Sequence, residues 1–110
     1  MITKEKINQA LETYKDGFTL DLKTGEFIEN GFAVALTHNI NLKDLETLYK
    51  TVVTNQHVLK CVGGWTDQKD HIHYLDFVLI VNNEQDALKL CEIFRQIAYF
   101  DLNNLKEVRV

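Results

Sequence analysis

Serine occurs nowhere in this chain of 110 residues, so a serine nucleophile is excluded outright. Proline is absent as well, and the turns must rest on Gly, Asn and Asp. Only two cysteines are present, Cys61 and Cys91, each inside an apolar run. That placement predicts buried thiols in a reducing compartment, while the sequence leaves a disulfide between them open. Positive charge is not in excess: 12 Lys and Arg face 16 Asp and Glu, a net charge of −4. A nucleic-acid binder usually shows a basic face, so direct binding to nucleic acid is not expected. An acidic balance suits a protein that meets the basic groove of a nucleic-acid-handling enzyme. No apolar run approaches the roughly 20 residues that span a bilayer. The start, MITKEKINQALETY, is amphipathic and charged, unlike a signal peptide. The expected location is the cytoplasm.

What is present is ordinary for a globular protein: 45% hydrophobic and 25% charged residues. One domain over residues 1–110 is expected, long enough for a real core. The chain is organised around His71 to Leu102, which reads as strand, capped helix, strand. Ile72 to Val81 is nearly all apolar and rich in β-branched and aromatic residues, a strand covered on both faces. Asn83 is placed to cap a helix, with Asp86 at the capping-box position. Ala87, Leu90, Cys91 and Phe94 then fall on one helical face. Ile97 to Leu102 is the second strand. A parallel pairing of the two strands would make a right-handed βαβ unit, but the linker is short, which leaves room for an intervening strand.

Earlier elements follow the same logic. Thr3 caps a first helix of about residues 4–15, ended by Asp16-Gly17. Phe18, Leu20 and Leu22 alternate with Thr19, Asp21 and Lys23, a strand with one wet face. A turn at 23–25 closes a first hairpin onto a strand centred on FAVAL, with a bulge or irregular start at Asn30-Gly31. Asn41 caps a second helix of about residues 42–54. Val58 to Trp65 is a strand, and residues 66–70 form a polar hairpin loop. Leu105 to Val110 is a short tail. The expected fold is α+β: a mainly antiparallel sheet of about five strands with three helices, in the order α-ββα-ββα-β.

Few residues suggest chemistry. His71 and His73, two apart on a strand, would share a face and could reach one metal, with Asp67, Asp70 and His57 as further ligands. A real site needs three or four convergent ligands, so a pair of solvated imidazoles at a hairpin is the plainer reading. Asp76 interrupts an apolar run. It is either a base with a raised pKa or, more simply, a carboxylate on an open sheet face that accepts backbone N–H bonds. Gly63-Gly64-Trp65 marks either a close backbone approach to a ligand, with Trp65 as a stacking wall, or a bulge. A Cys-His pair of His57 with Cys61 or Cys91 is disfavoured by the burial expected of the thiols. The aromatics Phe27, Phe32, Tyr49, Trp65, Tyr74, Phe77, Phe94, Tyr99 and Phe100 mostly fall at core-facing positions. Trp65, Tyr74 and Tyr99 could instead build a binding surface.

The run GGWTDQKDHIHYLDFVLIVNNEQDALKLCEIFRQIAYFDLNNLKEV resembles small accessory proteins of bacteriophages and mobile elements in Gram-positive bacteria. The positions that carry the resemblance are Gly64-Trp65, Tyr74 to Asp76, Asn82-Asn83, Ala87-Leu88, Gln96-Ile97 and Tyr99-Phe100, with GFAVAL at 31–36. The resemblance implies no catalytic motif and no cofactor. It implies an accessory gene product that binds a host protein, such as an anti-CRISPR or anti-restriction inhibitor of a defence nuclease. The expected contact surface is the hairpin that carries Trp65, Asp67, Asp70, His71, His73 and Tyr74. Its acids are expected to be exposed and able to pair with Lys and Arg residues of a partner that normally hold phosphates. The alternatives are a small metal protein or enzyme using His71 and His73, and a nucleic-acid-binding accessory protein.

Overall fold

In a computed structural model that describes residues 1–110, the chain forms three helices and six strands in one antiparallel sheet. The elements are α1 (Lys4–Thr13), β1 (Phe18–Asp21), β2 (Phe32–Ala35), α2 (Leu42–Thr51), β3 (Leu59–Thr66), β4 (His73–Val81), α3 (Glu84–Ile93), β5 (Ala98–Asp101) and β6 (Lys106–Arg109). The sheet order is β1-β3-β4-β2-β5-β6. The α+β class, three helices and antiparallel sheet agree with the sequence reading. The sixth strand is the supposed tail: Asp101 caps a tight turn by accepting from the Asn103 and Asn104 amides, and residues 106–109 fold back on β5.

Helix boundaries follow their caps. The Thr3, Asn41 and Asn83 side chains accept from Lys6, Asp44 and Asp86 amides at 3.2, 2.7 and 2.9 Å, each satisfying a free donor of the first turn. At the other end of α3, the Gln96 amide bonds to the Cys91 carbonyl and the Arg95 amide to Glu92. Arg95 takes φ +54° there, so this is a Schellman closure made with arginine where glycine is usual. Phe94, the last residue before this closure, is 37% exposed and joins neither core cluster under the helices.

Two sequence readings need correction. The turn at 23–25 does not join β1 to β2. It joins β1 to a short return, with an isolated bridge between Leu20 and Phe27, and the chain then runs on to β2, between β4 and β5. Asp21 also does not face water. It is 8% exposed, and its Oδ1 accepts from the Lys23 and Thr24 amides, closing the turn at 23–25.

Because β2 is antiparallel to both β4 and β5, those two strands run parallel with β2 between them. Likewise β2 and β3 run parallel with β4 between them. The segment β2-α2-β3-β4-α3-β5 is thus a pair of split βαβ units, the ferredoxin-like arrangement. Along the chain the expected order of two successive ββα units holds, with β6 added at the end; the split pairing is what the order alone did not give. β1 extends one sheet edge and β6 the other.

All three helices cover one face. Ile7, Ala10, Leu11 and Leu45 pack on Leu20, Leu22, Val62, Leu75, Phe77 and Leu79. Ala87 and Cys91 pack on Phe32, Val34, Val81 and Tyr99. Leu36, Val58 and Leu90 touch both groups and join them. The Tyr99 hydroxyl donates to Glu84 Oε2 at 2.5 Å and ties β5 to the start of α3. The opposite face has no helix. Its small core is Ala33, Cys61, Val78 and Ile80, partly roofed by Ile28 and Leu102.

Candidate functional site

The open face holds a groove of about 800 Å³. Its origin is the small residues on β2 and β3, the two strands that flank β4. Along β2 the large residues Phe32 and Val34 face the helices, which leaves Ala33 and Ala35 for the open face. On β3, Gly63 pairs with Asp76 of β4 and with Thr19 of β1. Two alanines and a glycine line a trench where full side chains would have filled it.

Aromatic and acidic residues wall the trench. Tyr14, Phe18, Phe27, Trp65 and Phe100 line it, together with Asp16, Glu29 and Asp76. Trp65 and Tyr74 are a cross-strand pair, and their rings stack at 4.8 Å with planes 16° apart. Tyr74 thereby holds the indole in one orientation, in the offset geometry favoured by ring quadrupoles. Phe27 is braced edge-on by Phe18 at 6.4 Å and by Tyr14 at 4.8 Å. Asp76 accepts from the Asn39 amide at 2.6 Å and the Thr37 hydroxyl at 3.3 Å, both on Oδ1. This is the plainer of the two readings of Asp76: a carboxylate on the open face that anchors the chain after β2.

Gly64 has another role. Strand register runs unbroken through both glycines, so there is no bulge. A side chain at Gly64 would strike Phe18, whose Cζ lies 2.5 Å from the place of a Cβ. Gly64 is needed so that the Phe18 ring can lie across the strand.

The hairpin residues separate into three groups. Trp65 and Tyr74 stand on the open face at one end of the groove. His73 points to the helix side, where its Nδ1 pairs with the buried Thr66 hydroxyl at 2.8 Å. His71 is not in the strand at all. It sits in the loop at φ +59°, so the same-face argument for a His71–His73 pair fails. No group of three or more His, Cys, Asp or Glu side chains is positioned to hold a metal ion. Asp70 is exposed and Asp67 half-buried, and each commits one carboxylate oxygen to the loop. Asp67 Oδ1 accepts from the Lys69 and Asp70 amides, and Asp70 Oδ1 accepts from the Ile72 amide.

No family model matches the chain, and no curated protein or solved structure matches it.

The two thiols lie on opposite sides of the sheet, Cys61 in the open-face core and Cys91 under α3, and both are free. They cannot pair. Burial pushes the Cys61 thiol up to about 12, with the Asp21 charge adding to it. Burial raises Cys91 as well. A thiol held protonated is a poor nucleophile. A disulfide-exchange reagent at pH 8 should therefore react with neither thiol in the folded protein and with both after unfolding in urea. A fast-reacting thiol in the native state would show that one of these cores opens readily. Since the folded value for Cys61 lies above its ordinary one, its contribution to stability is complete below that ordinary value. It is lost as the pH climbs toward about 12.

Sequence reasoning singled out Trp65, Tyr74, Asp76 and Gly63 separately. It missed Asp16, Phe18, Phe27, Glu29 and Phe100 as neighbours of theirs. The readable signal was the alternation in FAVAL, large on one face and small on the other. The partner glycine comes from another strand, and only the register brings the two together.

Proposed function

We propose that this chain is a non-catalytic protein-binding domain, an accessory product of a phage or mobile element that acts in the cytoplasm on a host protein. In its sharpest form it inhibits a host-defence nuclease. The observation that carries the binding reading is the aromatic and acidic groove beside the stacked Trp65–Tyr74 pair. Four exposed aromatics, Tyr14, Phe27, Trp65 and Phe100, line one depression, and rigid exposed rings of this kind anchor protein interfaces. The phage setting rests on the resemblance carried by Gly64 to Phe100 and by GFAVAL at 31–36. A direct nucleic-acid role is less well supported, because the groove lining contains carboxylates and neither Lys nor Arg.

The test is a purified CRISPR effector or restriction nuclease mixed with the protein before DNA is added. Loss of cleavage at near-stoichiometric ratios supports inhibition. Binding without loss of cleavage reduces the reading to a binding module. No binding and no effect across a panel of such nucleases removes the inhibitor reading.

The hairpin acids offer a sharper probe. Replacing both Asp67 and Asp70 by Lys deletes three loop hydrogen bonds and should cost about 1–2 kcal/mol, more than an ordinary surface change. Replacing both by Asn keeps the Oδ1 acceptors and should stay within about 0.5 kcal/mol. If the hairpin charges steer the partner, the Asn pair slows association and flattens its salt dependence while the fold is intact. An unchanged association rate for the Asn pair places the contact elsewhere.

A further inference from the structure

We infer that the open-face groove is a receptor for an arginine-bearing apolar segment of the partner protein; the inference rests on the protein-binding reading and names the partner's chemistry. Three features converge on arginine. The first is shape: a volume of about 800 Å³ lies within the range of clefts that seat a ligand or a few side chains, roughly 300–1,000 Å³. The second is the aromatic wall. Trp65 is 44% exposed and Phe100 38%, and Trp65 is fixed in orientation by Tyr74. A planar guanidinium stacks on such faces and is attracted by the ring quadrupole.

The third feature is charge. Asp16, Glu29 and Asp76 line the groove with no Lys or Arg among the lining residues. The protein's two side-chain ion pairs, Lys50–Glu46 and Arg109–Glu107, lie outside the groove. The three carboxylates therefore have no cation of their own. Asp76 spends only Oδ1 on the chain, so Oδ2 remains for an incoming donor. Apolar side chains make up more than half of the lining, 11 of 19 residues. A bare ammonium or a fully polar peptide would leave that surface unpaired. An arginine presents a three-carbon stem to the apolar wall and a five-donor fork to the carboxylates. Apolar neighbours in the partner would cover the remainder of the trench.

The experiment uses the whole chain, two fluorescein-labelled peptides (an alternating Leu-Arg hexapeptide and the same peptide with Gln for Arg) and arginine ethyl ester as an unlabelled competitor. Binding is read by anisotropy and by the emission of Trp65, the sole tryptophan. The Leu-Arg peptide should bind, shift the Trp65 emission and weaken with added salt. Glu29→Lys, which reverses a groove charge, and Ala35→Met, which fills the trench, should each weaken it by about tenfold. Glu92→Lys, on α3 across the sheet, should not. Circular dichroism checks that each variant is folded. Equal binding of the Gln peptide, equal weakening by Glu29→Lys and Glu92→Lys, or no binding at all overturns the inference. Competition by arginine ethyl ester at the peptide's own affinity overturns the peptide part and leaves a receptor for small organic cations. The nuclease experiment separates this failure from failure of the binding reading. If Ala35→Met still binds a nuclease that the wild type binds, the protein-binding reading stands and the groove is not its contact.

Discussion

Cys91→Asp is expected to remove about 3–5 kcal/mol of stability, a large part of what a domain of this size possesses. Cys91 is 1% exposed and packs with Phe32, Val34, Val81, Ala87 and Tyr99. Its hydrogen-bond partner is the Ala98 carbonyl, 3.5 Å from Sγ. A thiol donates weakly to that oxygen, whereas a carboxylate can only be repelled by it. The loss should be greatest at neutral pH and shrink as acid protonates the new side chain, since the penalty belongs to the charged form. Cys91→Ala removes only volume and should cost about 1 kcal/mol. Urea unfolding followed by circular dichroism at pH 7 and pH 4 measures all of this. A midpoint that does not move would mean that α3 turns another face to the sheet.

Gly64→Ala should cost about 1–3 kcal/mol, although alanine is ordinarily the better strand residue. The new Cβ would sit 2.5 Å from Phe18 Cζ, 2.7 Å from Cε1 and 3.1 Å from Leu75 Cδ2. The Phe18 ring could relieve this by swinging away, but Phe27 is packed edge-on against it. Gly63→Ala meets only a Val78 methyl at 3.2 Å and should cost less than about 1 kcal/mol. The decisive comparison adds Phe18→Leu. If the clash with the ring is the cause, the double variant Gly64→Ala, Phe18→Leu should be less destabilised than the sum of its parts. Strict additivity would assign the glycine's importance to the backbone.

Local elements of this fold were legible and their neighbours were not. Thr3, Asn41 and Asn83 sit immediately before periodic apolar runs, and all three act as caps. The β3–β4 hairpin was readable because its loop is polar and its strands are long. The position of β2 was not readable, because FAVAL pairs with residues far along the chain, Ala35 with Val78 and Phe32 with Asp101. Nothing in a local window distinguishes that from pairing with β1. β6 was missed because KEVR has almost no apolar pattern; it is an edge strand whose pairing comes from the Asp101 turn. The groove failed for the same reason as β2. Its alanines, its glycine and its carboxylates come from segments that share no sequence neighbourhood. The histidine pair misled because strand periodicity was extended back over His71, which belongs to the loop; the strand begins at His73.

The place of β2 in the sheet also sets how the chain must reach its final form. The hairpin of β3 and β4 can zip from its own turn, since Thr66 pairs with His73 and each further pair follows in order. β2 has no such route. It is made before α2, β3, β4 and α3, yet it must insert between β4 and β5, with its earliest residue, Phe32, bonded to both sheet neighbours near their ends. Closing those long loops costs entropy before any pairing repays it. During synthesis, β2 and the apolar side of the hairpin wait for α3 and β5 to emerge before the sheet can be completed. The assembly of this small domain is therefore governed by its last third, and shortening the chain from the C-terminal end should strand the central strand without one of its partners.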